Sequence, residues 1–229
     1  MDILHNGFTL EVPKGVFPLS TDSIALADFV RLPKNAQVLD LCAGCGTLGL
    51  LLCAKDESCC VTGVEIDPTA HEGALKNIER NGLHHRLFSI CNDVANLPEF
   101  IKAGSFGVCV SNPPYFSAGP KSKEVPTARR EDLCSAETLF REAARALRYG
   151  GDFYLVHRPE RLAELCALGA KYGLEAKRLS CLRHKKDAPV SLIFLQLRKG
   201  GKPGLIWEEI TLCNPDGSPT DDYRRLYHL

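Results

Sequence analysis

Ala36-Gln37-Val38-Leu39-Asp40-Leu41-Cys42-Ala43-Gly44-Cys45-Gly46-Thr47-Leu48-Gly49 is the stretch on which the reading of the fold turns. Residues 36–41 form a short run in which four of six residues are apolar, consistent with a strand covered on both faces. Small residues and glycines follow at once, and a helical apolar pattern then runs from 47 to about 55. A strand, a glycine turn and a helix in that order form the opening of a βαβ unit.

The same alternation continues outward. A second apolar strand spans 60–65. Asp67-Pro68 then opens a helix, with proline in the first turn where no amide donor is required, and Asn81-Gly82 closes it. Strands follow at 86–91 and 106–111, a helix at 135–149 and a strand at 153–157. Another helix begins at Pro159 and ends near Tyr172-Gly173. Residues 175–184 and 189–198 read as an antiparallel pair of strands. Ahead of the first buried strand, 8–12 reads as a short strand and 21–31 as a helix with Ser20 or Thr21 as its N-cap. Strands alternating with helices predict an α/β fold with a mainly parallel sheet covered on both faces. The organisation expected is an N-terminal strand and helix over 1–34, packed on the cofactor site, a main domain over 35–200 and an irregular tail over 201–229. The loop 116–131, rich in Gly, Pro, Ser and Lys, is long for a compact domain and marks a functional or mobile segment.

Gly44-x-Gly46-x-x-Gly49 satisfies the dinucleotide fingerprint, with Glu65 at the end of the next strand, so a nicotinamide cofactor has to be weighed. Asp40 discriminates. A carboxylate at the strand end, just before the glycines, repels a pyrophosphate, which needs the bare positive helix N-terminus. It suits a cofactor with an α-ammonium and a sulfonium and no phosphate, namely S-adenosylmethionine. Gly44 and Gly46 let the backbone pass close to the ligand. Glu65, with Ile66 beside it, offers two oxygens to the vicinal hydroxyls of a ribose. Asp93, after the third strand, is placed to accept from an adenine amino group.

Asn112-Pro113-Pro114-Tyr115 ends the fourth strand, beside the switch point of the sheet. Methylating an amide-like or aromatic amine means attack by a planar nitrogen whose lone pair is delocalised. Two acceptors at its two N–H groups orient it and stabilise the positive charge that develops. The Asn112 side-chain oxygen and the Pro113 carbonyl can form that pair, and the prolines preorganise the turn. Tyr115 can stack on the flat acceptor and hold the nitrogen in line. No strong base is required, because the product cation loses its proton readily.

Composition sets bounds rather than a function. In 229 residues the charges balance to zero, 45% of residues are hydrophobic and 24% charged, ordinary values for one α/β domain. No apolar run of about 18 residues suggests a membrane span, and the first residues lack the pattern of a signal peptide, so a cytoplasmic protein is expected. Eleven cysteines are present; Cys53, Cys91, Cys109 and Cys166 fall in apolar segments and are expected to be buried. Cys42-Ala43-Gly44-Cys45 is a C-x-x-C without a second pair at zinc-ribbon spacing, so no metal is expected. Nor is any obligate protein partner evident. Charge is unevenly spread. Residues 171–202 hold nine Lys/Arg against Glu175 and Asp187, an excess of seven positive charges, offset by the rest of the chain. Such asymmetry is a candidate polyanion footprint. Lys185, Lys186, Lys199 and Lys202 are the candidate contacts there, and Lys121, Lys123, Arg129 and Arg130 those of the 116–131 loop.

With these motifs assembled, the chain resembles the tRNA1(Val) (adenine-37-N6)-methyltransferase family of class I methyltransferases. The resemblance rests on Phe17-x-x-x-Thr21-Asp22-Ser23-x-x-Leu26-Ala27-Asp28-Phe29, Val38-Leu39-Asp40-Leu41, Gly63-Val64-Glu65, Ser111-Asn112-Pro113-Pro114-Tyr115-Phe116 and Ala128-Arg129. It continues through His157-Arg158-Pro159-Glu160-Arg161-Leu162 and Gly200-Gly201-Lys202-Pro203-Gly204-Leu205, and is looser from Trp207 onward. It implies a Rossmann-like, seven-stranded, mostly parallel sheet with the last strand antiparallel. It also implies methylation of adenine N6 beside the anticodon of a tRNA, with Thr21, Asp22 and Asn112 at the cofactor and Arg129 and Arg158 near RNA. On the residues alone another RNA or DNA amino-methyltransferase stays open, and so do two readings from further afield. A protein glutamine amide presents a similar planar nitrogen, though only 35 residues precede the first buried strand, little room for a protein-binding domain. The other is a non-catalytic RNA-binding protein, against which intact Asp40, Glu65 and Asn112 count.

Overall fold

Apolar residues alternate along each central strand, and the two sets go to two separate cores. In the computed structural model, which describes residues 2–4, 6–113 and 135–229, the strand order is β10-β8-β9-β7-β6-β3-β4-β5. These are β3 (Gln37–Leu41), β4 (Cys60–Glu65), β5 (Leu87–Cys91), β6 (Phe106–Ser111), β7 (Leu147–His157), β8 (Leu174–Lys185), β9 (Val190–Lys199) and β10 (Ile206–Cys213). Val38, Val110, Tyr154 and Phe194 face one core; Leu39, Cys109, Phe153 and Ile193 face the other. This is period-two alternation with both faces covered.

The first core is closed by α1 (Thr21–Phe29), α2 (Thr47–Lys55) and α3 (Pro68–Arg80), the second by α4 (Ala136–Ala146) and α5 (Leu162–Lys171). A separate two-stranded pair, β1 (Asp2–Ile3) with β2 (Thr9–Leu10), precedes them. Local signals set several helix ends. The Asp67 side chain accepts from the Thr69 amide at the start of α3, with Pro68 in the first turn. Ser135 caps α4 through the Thr138 amide. Ser20 is the N-cap residue of α1, but its side chain makes no capping hydrogen bond.

The seven expected strands are present, with β9 antiparallel to both β7 and β8. The tail corrects the sequence reading. Instead of an irregular 201–229 segment, β10 adds an eighth strand parallel to β8, followed by helix α6 (Asp221–Tyr227). Buried Arg178 explains the attachment: its guanidinium makes two bonds to Glu208 of β10, at 3.2 and 2.9 Å. The same group donates to the Phe29 carbonyl and stacks over the Phe29 ring at 4.3 Å. A second correction concerns the helix expected to reach Tyr149. It stops at Ala146, and Leu147 begins β7. Among the cysteines, Cys53 and Cys109 are buried as expected, but Cys91 is exposed and Cys166 only partly covered.

Candidate active site

Register brings the ends of the central strands to one edge. Leu41 lies opposite both Val64 and Ser111, and Glu65 lies opposite Cys91. Asp40, the glycine turn, Glu65, Asp93 and Asn112 therefore leave the sheet side by side, at the carboxyl end where open α/β sheets bind ligands. The Ser111 hydroxyl donates to the Leu41 carbonyl at 2.7 Å and ties β6 to β3 just before Asn112.

Three left-handed backbone residues, Cys42, Gly44 and Gly46, carry the chain away from β3 and into α2. A Cβ on Gly44 would meet nothing within 4 Å, so open space lies over the turn. The Glu65 carboxylate holds the turn down, accepting from the Gly44 amide at 2.7 Å and from the Asp67 amide at 2.9 Å. Each carboxylate oxygen keeps a second lone pair for a ligand hydroxyl. Asp40 is 2% exposed, and its Oδ2 has no hydrogen-bond partner among the described residues. Burial, with the Glu65 charge added, pushes the Asp40 carboxyl well above the usual range. An orphaned buried carboxyl beside an open glycine turn is the arrangement a cationic ligand would complete. Asp93 uses Oδ1 to cap the 3-10 turn Val94–Glu99 through the Ala95 amide, at 2.8 Å. Ile66 is 37% exposed at the same edge.

Helix α1 closes the other side. Thr21 bonds through its hydroxyl to the Tyr227 hydroxyl of α6 at 2.8 Å. Asp22 is half-buried, which raises its carboxyl above the ordinary value, while the Arg158 charge acts in the opposite direction. Buried Ser23 accepts from Asn112 Nδ2 at 3.0 Å. Farther along the rim, burial holds His157 down at about 4. Its neutral ring accepts the Arg158 amide through Nδ1 at 2.8 Å.

Sequence reading missed a clamp of asparagines. Asn77 is fully buried and grips both backbone groups of Glu11, at 2.9 and 3.0 Å, and the Cys45 carbonyl at 3.1 Å. Asn81, one turn on, holds both backbone groups of Thr9 at 2.8 Å each. The two amides imitate a neighbouring strand and fix the N-terminal segment against the glycine turn. Their four-residue spacing on one helix face was the available signal. Ser23 and Tyr227 carried none by themselves.

The basic 171–202 segment divides. Because β9 runs antiparallel to β7, its start lies with His157 and its end with Asp152. Lys185 and Lys186 close the β8–β9 turn at the carboxyl end of the parallel strands, along with Arg158, whereas Lys199 and Lys202 lie at the far end. Ten residues of strand make that separation roughly 30 Å. Several cations are also engaged within the protein: Arg178 as described, Arg198 with Asp152, Lys171 with Glu137, and Lys199 on the Leu147 carbonyl. Pro114, Tyr115, Lys121, Lys123, Arg129, Arg130 and the 116–131 loop lie outside the described residues.

A family model described as the methyltransferase small domain matches residues 14–170, from the N-terminal segment through the glycine turn and Asn112 to α5. The chain belongs to the methyltransferase small domain family. It is an S-adenosylmethionine-dependent methyltransferase. Curated relatives include a tRNA1(Val) (adenine(37)-N6)-methyltransferase of Vibrio parahaemolyticus, 29% identical over 96% of this chain and 91% of that one. Another of that name, from Photobacterium profundum, is 26% identical over 78% of this methyltransferase and 76% of its own length. Among solved structures, a predicted O-methyltransferase of Agrobacterium tumefaciens superposes with a TM-score of 0.76 at 20% identity, covering 90% and 95% of the two chains. A methyltransferase of Pyrococcus furiosus gives 0.63 at 24% identity, with 85% and 90% covered. These two likenesses establish the fold. No described helix of the methyltransferase is long and apolar enough to cross a membrane. Among the described residues, no three His, Cys, Asp or Glu cluster as metal ligands do.

Proposed function

We propose that this methyltransferase transfers a methyl group to N6 of an adenine in tRNA, with adenine 37 of tRNA1(Val) as its target. The observation that carries the reading is Asn112, whose amide stands at the strand end with Asp40 and Glu65 and donates through Nδ2 to Ser23 Oγ, leaving Oδ1 without a partner among the described residues. When bound, S-adenosylmethionine supplies the methyl group as a sulfonium. Asp40, the Gly44–Gly46 backbone, Glu65, Ile66 and Asp93 would hold it, with Thr21 and Asp22 closing over from α1. Asn112 Oδ1 and the Pro113 carbonyl accept from the two N–H groups of the acceptor amine. They orient its lone pair and gain strength as positive charge develops on nitrogen. Tyr115 supplies a stacking face for the base, and Pro114 stiffens the turn that presents it. The product cation gives its proton to water, so no residue is assigned as base.

An adenine is favoured over a protein glutamine amide by the names of the similar relatives and by the cations on the catalytic edge. The RNA face is proposed to comprise Arg158, Lys185 and Lys186, together with Lys121, Lys123, Arg129 and Arg130. Lys199 and Lys202 are left out of it. In a filter assay with labelled S-adenosylmethionine and transcribed tRNA1(Val), Asn112→Ala should lower the transfer rate by at least about a hundredfold. Its dissociation constant for S-adenosylhomocysteine should stay within about threefold of the wild-type value. Loss of both together would contradict the role given to Asn112.

A further inference from the structure

The glycine turn is braced from outside itself. Cys45 stands between Gly44 and Gly46, which take φ of 56° and 80°, a region that glycine enters about as readily as the ordinary one. The backbone alone therefore does little to fix the peptide between Cys45 and Gly46. Two hydrogen bonds hold its plane: the Gly46 amide donates to the Ala43 carbonyl within the turn, at 3.0 Å, and the Cys45 carbonyl accepts from Asn77 of α3, at 3.1 Å. We propose that Asn77 is a positioning residue for the cofactor turn, and that it couples cofactor binding to the order of the N-terminal segment around Glu11. The inference rests on the placement of S-adenosylmethionine at Gly44–Gly46 given above.

The bonds of Asn77 have one possible polarity. Its Nδ2 donates to the Cys45 carbonyl and to the Glu11 carbonyl, the second at 3.0 Å, and its Oδ1 accepts from the Glu11 amide at 2.9 Å. A backbone carbonyl only accepts and a backbone N–H only donates. Turning the side chain over would set oxygen against two carbonyls and NH2 against an N–H. Asn77 is fully buried, so solvent does not compete for these partners. The same face of α3 brings both partners within reach. A Cβ on Gly73 would lie 2.6 Å from Pro13 Cγ and 3.3 Å from Cys45 Cβ, which leaves no room for a side chain there. One turn beyond Asn77, Asn81 holds Thr9 by both backbone groups. A single buried amide thus joins the middle of the cofactor turn to the N-terminal segment. Such a joint works in both directions: whatever steadies the turn steadies Glu11, and loss of the joint loosens the turn.

Isothermal calorimetry on Asn77→Ala, well below the Tm of the variant, should show the dissociation constant for S-adenosylhomocysteine raised about tenfold. A residue that merely holds α3 in place would lower Tm and leave this constant within about twofold, and that result would overturn the proposal. A second measurement needs no variant. In the wild-type protein, saturating S-adenosylhomocysteine should slow hydrogen exchange of the Glu11 amide, followed by NMR, by about tenfold or more. The Ser58 amide, in the turn between α2 and β4, should change by less than about twofold. Unchanged exchange at Glu11, or equal slowing at both amides, would also overturn the proposal, whether or not Asn77→Ala folds. The placement of the cofactor is checked separately in the same spectra, where the Gly44 and Gly46 amide resonances should shift on binding. If they stay unmoved at saturation, the placement itself fails; if they shift and Glu11 does not respond, only the coupling through Asn77 fails.

Discussion

Asp40 is the residue on which the choice of cofactor rests, and its setting makes a pH prediction. In the free protein, burial and the Glu65 charge keep its carboxyl protonated well above the ordinary 3.8. The folded state thus binds a proton that the unfolded chain has already lost. Stability from this group is greatest at low pH and is lost as pH rises from 3.8 through the raised value. A ligand ammonium nearby favours the ionised form, so binding expels the proton. Affinity for S-adenosylhomocysteine, measured by calorimetry from about pH 5.5 to 8, should strengthen with pH by up to tenfold per unit until Asp40 ionises unaided. Asp40→Asn should flatten this dependence and weaken binding at the upper end. A slope that persisted in Asp40→Asn would belong to another group. Strand-end position made Asp40, Glu65 and Asn112 legible in the sequence. Ser23 was not, because its meaning lies in a contact across 89 positions of chain.

Among the elements, strands with a continuous apolar pattern were readable almost to the residue: β4 and β6 span the expected 60–65 and 106–111. The failures share a cause. Leu147 to Tyr149 continue a helical pattern, yet pairing with β6, through Phe106 opposite Leu147, takes them into β7. The Glu208-Glu209 pair interrupts the apolar pattern of β10, and its place in the sheet shows only once buried Arg178 is seen to bond Glu208. Tertiary pairing decided both. The direction of the β8–β9 hairpin separates its cations: its turn carries Lys185 and Lys186 to the carboxyl edge of the parallel strands, and its open end carries Lys199 and Lys202 away. Binding of tRNA1(Val) measured across a range of salt should report this. Reversing Lys185 and Lys186 to Glu should flatten the slope of log K against log salt by roughly one to two. Lys199→Gln with Lys202→Gln should leave the slope nearly unchanged. Equal effects from the two pairs would mean that the RNA surface spans both ends of the sheet.

At the scale of the molecule, the parallel strands of the sheet gather their ends at one edge, and the N-terminal segment and helices α1 and α6 brace it. Asn77 and Asn81 clamp the N-terminal segment beside the glycine turn, while α6 braces α1 through Tyr227. The two chain termini, the least legible parts of the sequence, thus flank the site. The alternation of strand and helix was legible because burial imposes period two on strands whatever their partners are. The roles of the termini were not, since polar side chains reaching across the chain leave no period behind. Adenine N6 methylation in tRNA is read out by nucleoside mass spectrometry of tRNA1(Val) isolated from cells with and without the gene. N6-methyladenosine is expected at position 37, disappearing with the gene and returning with the wild-type protein but not with Asn112→Ala. An unchanged N6-methyladenosine content in every tRNA of the deleted strain would contradict it.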